Sequence, residues 1–127
     1  MISLPNNPEF YKSLAHLFYA MVVADRNVEK TEKMALYELI KQDWSGMSDE
    51  LEVKQLLYAT LKQLFQDNYE KEDAFSVFKQ FFQKNRESFS EEVRDKILQS
   101  SNRIANAFSG VNKSESVLIS RLYFLMN

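Results

Sequence analysis

The fold class is decided by one stretch of sequence, NPEFYKSLAHLFYAMVVA at residues 7–24. Asn7 is a good N-cap, Pro8 fits the first helical turn, and Glu9 faces the positive end of the helix dipole. The apolar residues that follow at helical spacing are Phe10, Leu14, Leu17 and Met21, and they are flanked by Tyr11, Phe18 and Val22. A stripe of this width predicts an amphipathic helix that runs to about Ala24 and packs into a core.

The remainder of the chain carries the same helical spacing. Both prolines lie before residue 9, so the rest of the chain is free to form helices. Five further helices are predicted. The second helix runs from about Lys30 to Asp43, and the third runs from a Ser48 cap to a stop at Gln66-Asp67-Asn68. The fourth contains Phe75, Phe78 and Phe82 and ends near Lys84, the fifth begins at Ser90 and extends past Ile104 and Phe108, and the sixth runs from about Lys113 to the C-terminus. No segment shows the sustained alternation typical of strands. The sequence therefore predicts an all-α fold, a single compact bundle of about six helices with short loops over residues 1–127.

The composition excludes several classes of function. The chain has 127 residues, no cysteine, two glycines and a formal net charge of −2. Without cysteine it cannot hold a disulfide framework, a CxxC redox site or a cysteine-built zinc site. The two glycines stand alone, which excludes a Gly-rich phosphate-binding loop. Lysines and arginines are interleaved with acids, so no basic face for nucleic acid is expected.

The N-terminus and the apolar segments indicate where the protein works. The opening residues lack a basic region and a long apolar run, so no secretory signal is expected. No stretch approaches the roughly 20 uninterrupted apolar residues that span a bilayer. We therefore expect a cytoplasmic protein with no direct membrane span.

Two segments of the chain resemble each other. Residues 24–32, ADRNVEKTE, align with residues 107–115, AFSGVNKSE, and each residue of the second copy lies 83 positions after its counterpart. In each copy one residue can cap the following helix while the Glu three places later reaches back to its N–H groups. Asn112 with Glu115 fits such a capping box well. Glu29 with Glu32 fits it poorly, because Glu is a weak N-cap.

This arrangement resembles the signature of the TerB-like (tellurite resistance) superfamily, which also includes the N-terminal part of the DjlA co-chaperones. In that family an Ala-Asp-Gly motif ends one helix, a Glu lies early in the next, and a weaker second copy often closes the domain. Residues 17–25 and Glu32 match the first copy. Arg26 replaces the motif Gly, and Phe108 stands where the second copy would carry an acid. The resemblance implies an all-α interaction domain, often stress-linked, associated with metal binding through the motif acids and with membrane-associated complexes.

The resemblance makes Asp25, Glu32 and Glu115 the candidate metal ligands, although the missing second Asp weakens a site built from two halves. Asp25 faces the negative end of the first helix, which costs about 0.3–1 kcal/mol when exposed and favours a compensating partner. That partner is either the start of the next helix, which makes Asp25 a structural link, or a hard cation. An EF-hand is excluded, because position twelve of its loop would be Leu36 rather than Glu.

The remaining polar candidates indicate structure rather than catalysis. His16 is the only histidine, so no histidine pair can hold a transition metal. We predict that it lies on a helix flank, hydrogen-bonded to water or a neighbour. The acids at residues 70–73 and 91–95 are typical of solvated first turns of helices. No pair of carboxylates with separate acid and base roles emerges from the spacing, so no enzymatic activity is expected.

Two apolar groups of residues are candidates for a core or for a contact surface. The first group contains Phe75, Phe78, Phe81, Phe82 and Phe89. Such a stripe is more typical of a core than of a pocket for a lipid or an aromatic ligand. Because Phe81 and Phe82 are adjacent, they widen the apolar face, and part of it could contact a partner. The second is the last helix, which is apolar nearly all round from Val117 to Met126. We predict that this helix threads the bundle core, with a homodimer contact as the alternative.

Together these observations predict a non-enzymatic TerB-like domain that acts through contacts with an unidentified protein partner, in a stress response implied by the resemblance. The alternative is a divalent-cation-binding domain that uses Asp25 and Glu32. Apart from such a cation, no cofactor is expected.

Overall fold

A computed structural model describes residues 7–23, 29–44, 51–109 and 113–126, with the backbone alone described at 51–54, 108–109 and 113–116. These residues form α1 (Pro8–Val23), α2 (Lys30–Asp43), α3 (Leu51–Gln66), α4 (Lys71–Lys84), a short 3₁₀ helix (Arg86–Ser88), α5 (Glu91–Ser109) and α6 (Lys113–Met126). The described residues contain no strand. The predicted all-α fold with about six helices is therefore confirmed, with helix ends close to those expected. The 3₁₀ helix was not predicted.

Helix α1 is the centre of the bundle. It packs against α3 and α4 most extensively, and also against α5 and α6. Its buried residues include the predicted stripe with its flanks and extend further, to Ala15, Tyr19 and Ala20. A helix surrounded on most sides by other helices buries nearly its whole circumference, which explains why this segment is so uniformly apolar.

The prediction that the last helix threads the core is wrong. Helix α6 packs mainly against α5, and buries one stripe formed by Leu118, Leu122 and Met126. Val117 is 54% exposed and Phe124 is 86% exposed. Because α1 already fills the central position, α6 lies at the edge of the bundle and leaves part of its apolar surface in water.

The aromatic residues of α4 belong to the core, as predicted. Phe89, which follows the 3₁₀ helix and is 3% exposed, lies among four other phenylalanine rings. Its ring centroid is 4.8 Å from that of Phe82, 5.5 Å from that of Phe10 and 6.0 Å from that of Phe81. The 3₁₀ turn thus carries the chain from α4 to α5 while placing Phe89 between α1 and α4.

The helix ends follow local sequence signals where the structure describes them. Ser90 caps α5, since its Oγ accepts the N–H of Val93 at 3.2 Å. At the end of α3, Asn68 adopts the left-handed conformation with φ 48°. The N–H of Asn68 bonds to the carbonyl of Phe65, and that of Tyr69 to the carbonyl of Leu64. This pair of bonds is a Schellman motif, which confirms the predicted stop. The predicted Ser48 cap and the predicted end of α1 near Ala24 lie outside the described residues.

Candidate functional site

The first copy of the motif lies between α1 and α2, and the structure describes its second half. Glu29 has an extended backbone, and its carbonyl accepts the N–H of Lys33 at 3.0 Å. The N–H of Glu29 donates to Oε1 of Glu32 at 3.0 Å, and both halves of a capping box are present. The prediction that Glu29 and Glu32 fit a capping box poorly is therefore wrong. The reason is that the backbone of Glu29 already has N-cap geometry, so the Glu32 carboxylate can satisfy its N–H.

The second copy of the motif lies between α5 and α6, just as the first copy lies between α1 and α2. Helix α6 begins at Lys113, which is the aligned counterpart of Lys30 at the start of α2. Glu115 lies in the first turn of α6, but its side chain and the cap position Asn112 are outside what the structure describes. Both copies thus lie at junctions between successive helices, as predicted.

The two helices that follow these junctions do not pack alike. In α2 the buried residues are Leu36 and Ile40, followed by the fully buried Trp44. In α6 they are Leu118, Leu122 and Met126, each 82 rather than 83 positions later. A shift of one residue along a helix turns the direction of the side chain by about 100° around the helix axis, so α6 buries a different face from the one that the alignment with α2 implies. The internal similarity therefore extends to the position of each copy at a junction between helices but not to the faces that the helices bury.

The described carboxylates do not by themselves make a metal centre. No three potential ligands among His, Asp and Glu gather anywhere in the described ranges. Oε1 of Glu32 accepts the Glu29 N–H, so a cation would compete with the capping bond. Asp25 lies in the segment 24–28, which is outside the described residues. Metal binding by Asp25, Glu32 and Glu115 stays a prediction.

His16 is a flank residue bonded to a neighbour, as predicted. Its Nδ1 lies 2.7 Å from the carbonyl oxygen of Lys12, one turn earlier in α1. Since a carbonyl can only accept, Nδ1 carries the proton and donates. The ring also meets the edge of Tyr69, with centroids 5.6 Å apart. Burial lowers the pKa of His16, against the opposing effect of the Lys12 carbonyl.

A buried polar network that the sequence did not indicate joins α2 to α5. Trp44 Nε1–H donates to Ser100 Oγ at 3.0 Å, and the Ser100 hydroxyl donates to Asp43 Oδ2 at 3.1 Å. Arg103 forms a salt bridge with the same carboxylate, and Lys96 Nζ lies 5.1 Å from the centre of the Trp44 ring. Ser100 and Arg103 are more than fifty positions from Asp43, so no local spacing could reveal the network.

A groove lies between α4 and α6 on the described surface. It is lined by Phe75 and Lys79 of α4 and by Arg121, Phe124 and Leu125 of α6, and its volume is about 300 Å³. We call it the α4–α6 groove. The apolar pattern of α6 was the only sequence signal that pointed to this groove. An apolar helix face that does not enter the core stays exposed unless a partner covers it.

Arg121 links the two sides of the α4–α6 groove. Its Nη1 donates to both carboxylate oxygens of Glu72, at 2.9 and 2.8 Å. Its guanidinium carbon lies 4.6 Å from the centre of the Phe75 ring, a cation–π contact. Glu72 was predicted to be a solvated acid of a first helical turn. It does lie in the first turn of α4, and in addition it orients Arg121.

These features define an all-α helical domain with a similar sequence segment at two helix junctions and a partly apolar groove on its surface. The chain matches the family model for Tellurite resistance protein TerB over residues 12–127, from within α1 to the residue after α6. It belongs to the TerB family, which confirms the resemblance inferred from residues 17–25 and Glu32. No curated protein and no solved structure gives a significant match. No helix among the described residues is both long and apolar enough to cross a membrane.

Proposed function

We propose that this TerB-family chain is a non-enzymatic domain that works by contacting another protein in the cytoplasm, in a response to chemical stress. The stress connection rests on the family description, tellurite resistance. The observation that carries the interaction role is the exposed apolar surface of α6.

This surface is formed by two residues that lie about two helical turns apart. Phe124 is 86% exposed and Val117 is 54% exposed, and seven residues separate them, so they lie on nearly the same side of α6. Leaving a phenylalanine ring in water forgoes most of the roughly 1.5–3 kcal/mol that its burial would contribute. A partner that covers this side of α6 would recover that free energy, and aromatic residues are enriched in such contacts.

The test is affinity capture with the full chain from the native host under oxidative or metal stress, followed by identification of the captured proteins. The variants are Phe124→Ser and, as a matched control, Met34→Ser on α2, where Met34 is 59% exposed. We expect a partner that Phe124→Ser loses and Met34→Ser retains. If no protein is enriched, or if both variants capture the same proteins equally, the proposed function is wrong.

Divalent-cation binding through Asp25 and Glu32 is the alternative, and it is supported by the family resemblance alone. Calorimetric titration with calcium, magnesium, manganese and zinc tests it, with an Asp25→Asn variant as the comparison. Binding heat in the wild-type chain that disappears in Asp25→Asn would support the alternative. Absence of heat in both proteins would reject it.

A further inference from the structure

We propose that the α4–α6 groove binds a segment of a partner protein in which a carboxylate stands beside a bulky apolar side chain. This inference rests on the proposed interaction function and specifies the partner's chemistry. Three features of the groove support it: an apolar base, an arginine held in one orientation, and a second positively charged side chain at the rim of the groove.

The apolar part of the groove has the size and exposure of a pocket for one side chain. Phe75 is almost fully buried at its base, Leu125 is half-buried, and Phe124 forms an exposed wall. A volume of about 300 Å³ lies at the lower end of the range for ligand pockets, so it suits one large side chain better than a cofactor. An apolar side chain placed here would cover both Phe124 and Leu125.

Arg121 is already held in place for an anion. Glu72 engages Nη1 alone, and the Phe75 ring supports the guanidinium face. Nε and Nη2 have no hydrogen-bond partner among the described residues, which leaves donors in the geometry that binds a carboxylate through two parallel bonds. Since the guanidinium is oriented before any ligand arrives, little further ordering of this side chain opposes binding.

Lys79 adds a second positive charge to the same rim. It is exposed and has no ion-pair partner within the described part of the chain. The groove therefore carries two cations against the single carboxylate of Glu72, in a chain whose overall net charge is −2. This local excess of positive charge favours an acidic segment and disfavours a basic one.

The same charges argue against two other occupants. In a two-fold contact between copies of this chain, centred on the groove, Lys79 and Arg121 would face their own counterparts, and like charges would repel. An anionic membrane surface is recognised by clusters of about 4–8 lysines and arginines, whereas this rim supplies two. An acidic protein segment is the occupant that matches both the charge and the apolar pocket.

The experiment is an NMR titration of the full ¹⁵N-labelled chain with three short peptides blocked at both ends. One has glutamates flanking a tryptophan, the second has lysines flanking the tryptophan, and the third has glutamates flanking an alanine. We expect saturable shifts confined to the amides of α4 and α6 around the groove with the first peptide, and weaker binding with the other two.

Charge variants then test the two cations. Arg121→Gln should weaken the first peptide about ten-fold, as loss of a charged hydrogen-bonded contact does, and Lys79→Gln about three-fold. Lys62→Gln, an exposed lysine on α3, is the matched control and should leave the affinity unchanged. If Arg121→Gln fails to fold because it loses Glu72, the Lys79→Gln variant and the exchange of glutamate for lysine in the peptide still decide the question.

Several results would overturn the inference. These are equal binding of all three peptides, shifts located outside the groove, concentration-dependent dimerisation that shifts the groove amides, and binding of phosphatidylglycerol vesicles that Lys79→Gln weakens. If affinity capture still yields a partner lost in Phe124→Ser while the acidic peptide does not bind, the proposed function stands and only the chemistry inferred for the groove is wrong.

Discussion

Trp44 shows how one residue connects local and distant structure. It ends α2, where its N–H bonds to the carbonyl of Ile40 at 2.8 Å, and its side chain is fully buried. A buried indole N–H needs an acceptor, and Ser100 of α5 supplies it. Because Ser100 donates in turn to Asp43, a single hydroxyl satisfies two groups of α2.

Replacing Ser100 with alanine should therefore destabilise the fold. Ser100→Ala leaves the Trp44 N–H without its acceptor and removes one donor to Asp43, so we expect a loss of about 1–3 kcal/mol in the free energy of unfolding. Urea unfolding followed by the fluorescence of Trp44, the only tryptophan, measures it. Ser120→Ala, at an exposed position of α6, is the control for the higher helix propensity of alanine. Equal stability of the two variants would contradict the role of the network.

The pKa of His16 predicts a pH dependence of stability. Burial lowers this pKa from the ordinary value of 6.5, so the unfolded chain binds the proton more tightly than the folded protein. The unfolding free energy should consequently decrease as the pH falls from neutrality through 6.5 and below. An NMR titration of the single imidazole should give a pKa below 6.5, and His16→Asn should lose this part of the pH dependence. A measured pKa at or above 6.5, or an unchanged slope in His16→Asn, would contradict the prediction.

At the scale of elements, α6 depends on residues outside itself. It has no basic residue in its last turn to interact with its final carbonyls. Arg86 of the 3₁₀ helix instead donates to the Leu125 carbonyl at 3.2 Å, and Arg94 of α5 donates to the Met126 carbonyl at 3.1 Å. Two arginines from other elements therefore supply the capping that α6 lacks in its own sequence.

Removal of the Arg94 guanidinium should loosen α6 more than the rest of the bundle. Arg94→Met keeps much of the apolar stem but loses the bond to Met126, so we expect a local loss of about 1 kcal/mol, which accelerates exchange of α6 amides about five-fold. Hydrogen exchange followed by NMR checks this, with the α1 amides as the internal reference. Lys62→Met on the surface of α3 should leave α6 unaffected. Faster exchange spread evenly over all helices would show that Arg94 has no specific effect on α6.

At the scale of the whole molecule, stability comes from a core built around α1. The phenylalanine rings that surround Phe89 join α1, α4 and the segment that leads into α5 into one packed unit. Phe124, which is exposed on α6, has no such role. Residue type alone therefore does not indicate what a phenylalanine contributes.

Two alanine substitutions compare these positions directly. Phe89→Ala should cost about 3–5 kcal/mol of unfolding free energy, because it opens a cavity and removes several ring contacts. Phe124→Ala, at a position that is 86% exposed, should change stability by no more than about 0.5 kcal/mol. Chemical denaturation of both variants provides the measurement. Similar losses at the two positions would mean that α6 is packed more centrally than described.

Most of the fold could be predicted from the sequence, because helices depend on interactions between residues three or four positions apart. Asn7, Ser90 and Asn68 marked helix ends through bonds to nearby backbone groups, and those bonds form wherever the structure describes them. The family was also accessible, since residues 17–25 and Glu32 form a local signature. The Glu29 cap was misjudged, because side-chain preference was weighed without the backbone geometry.

Only the tertiary structure decided which apolar helix became the centre. Both α1 and α6 are rich in apolar residues, and a pattern along one helix does not show how many neighbours it meets. Packing placed α1 among four helices and left α6 beside α5, with Phe124 exposed. The candidate groove has the same origin: Phe75 and Arg121 lie 46 positions apart and meet only because α4 and α6 flank one another in the bundle.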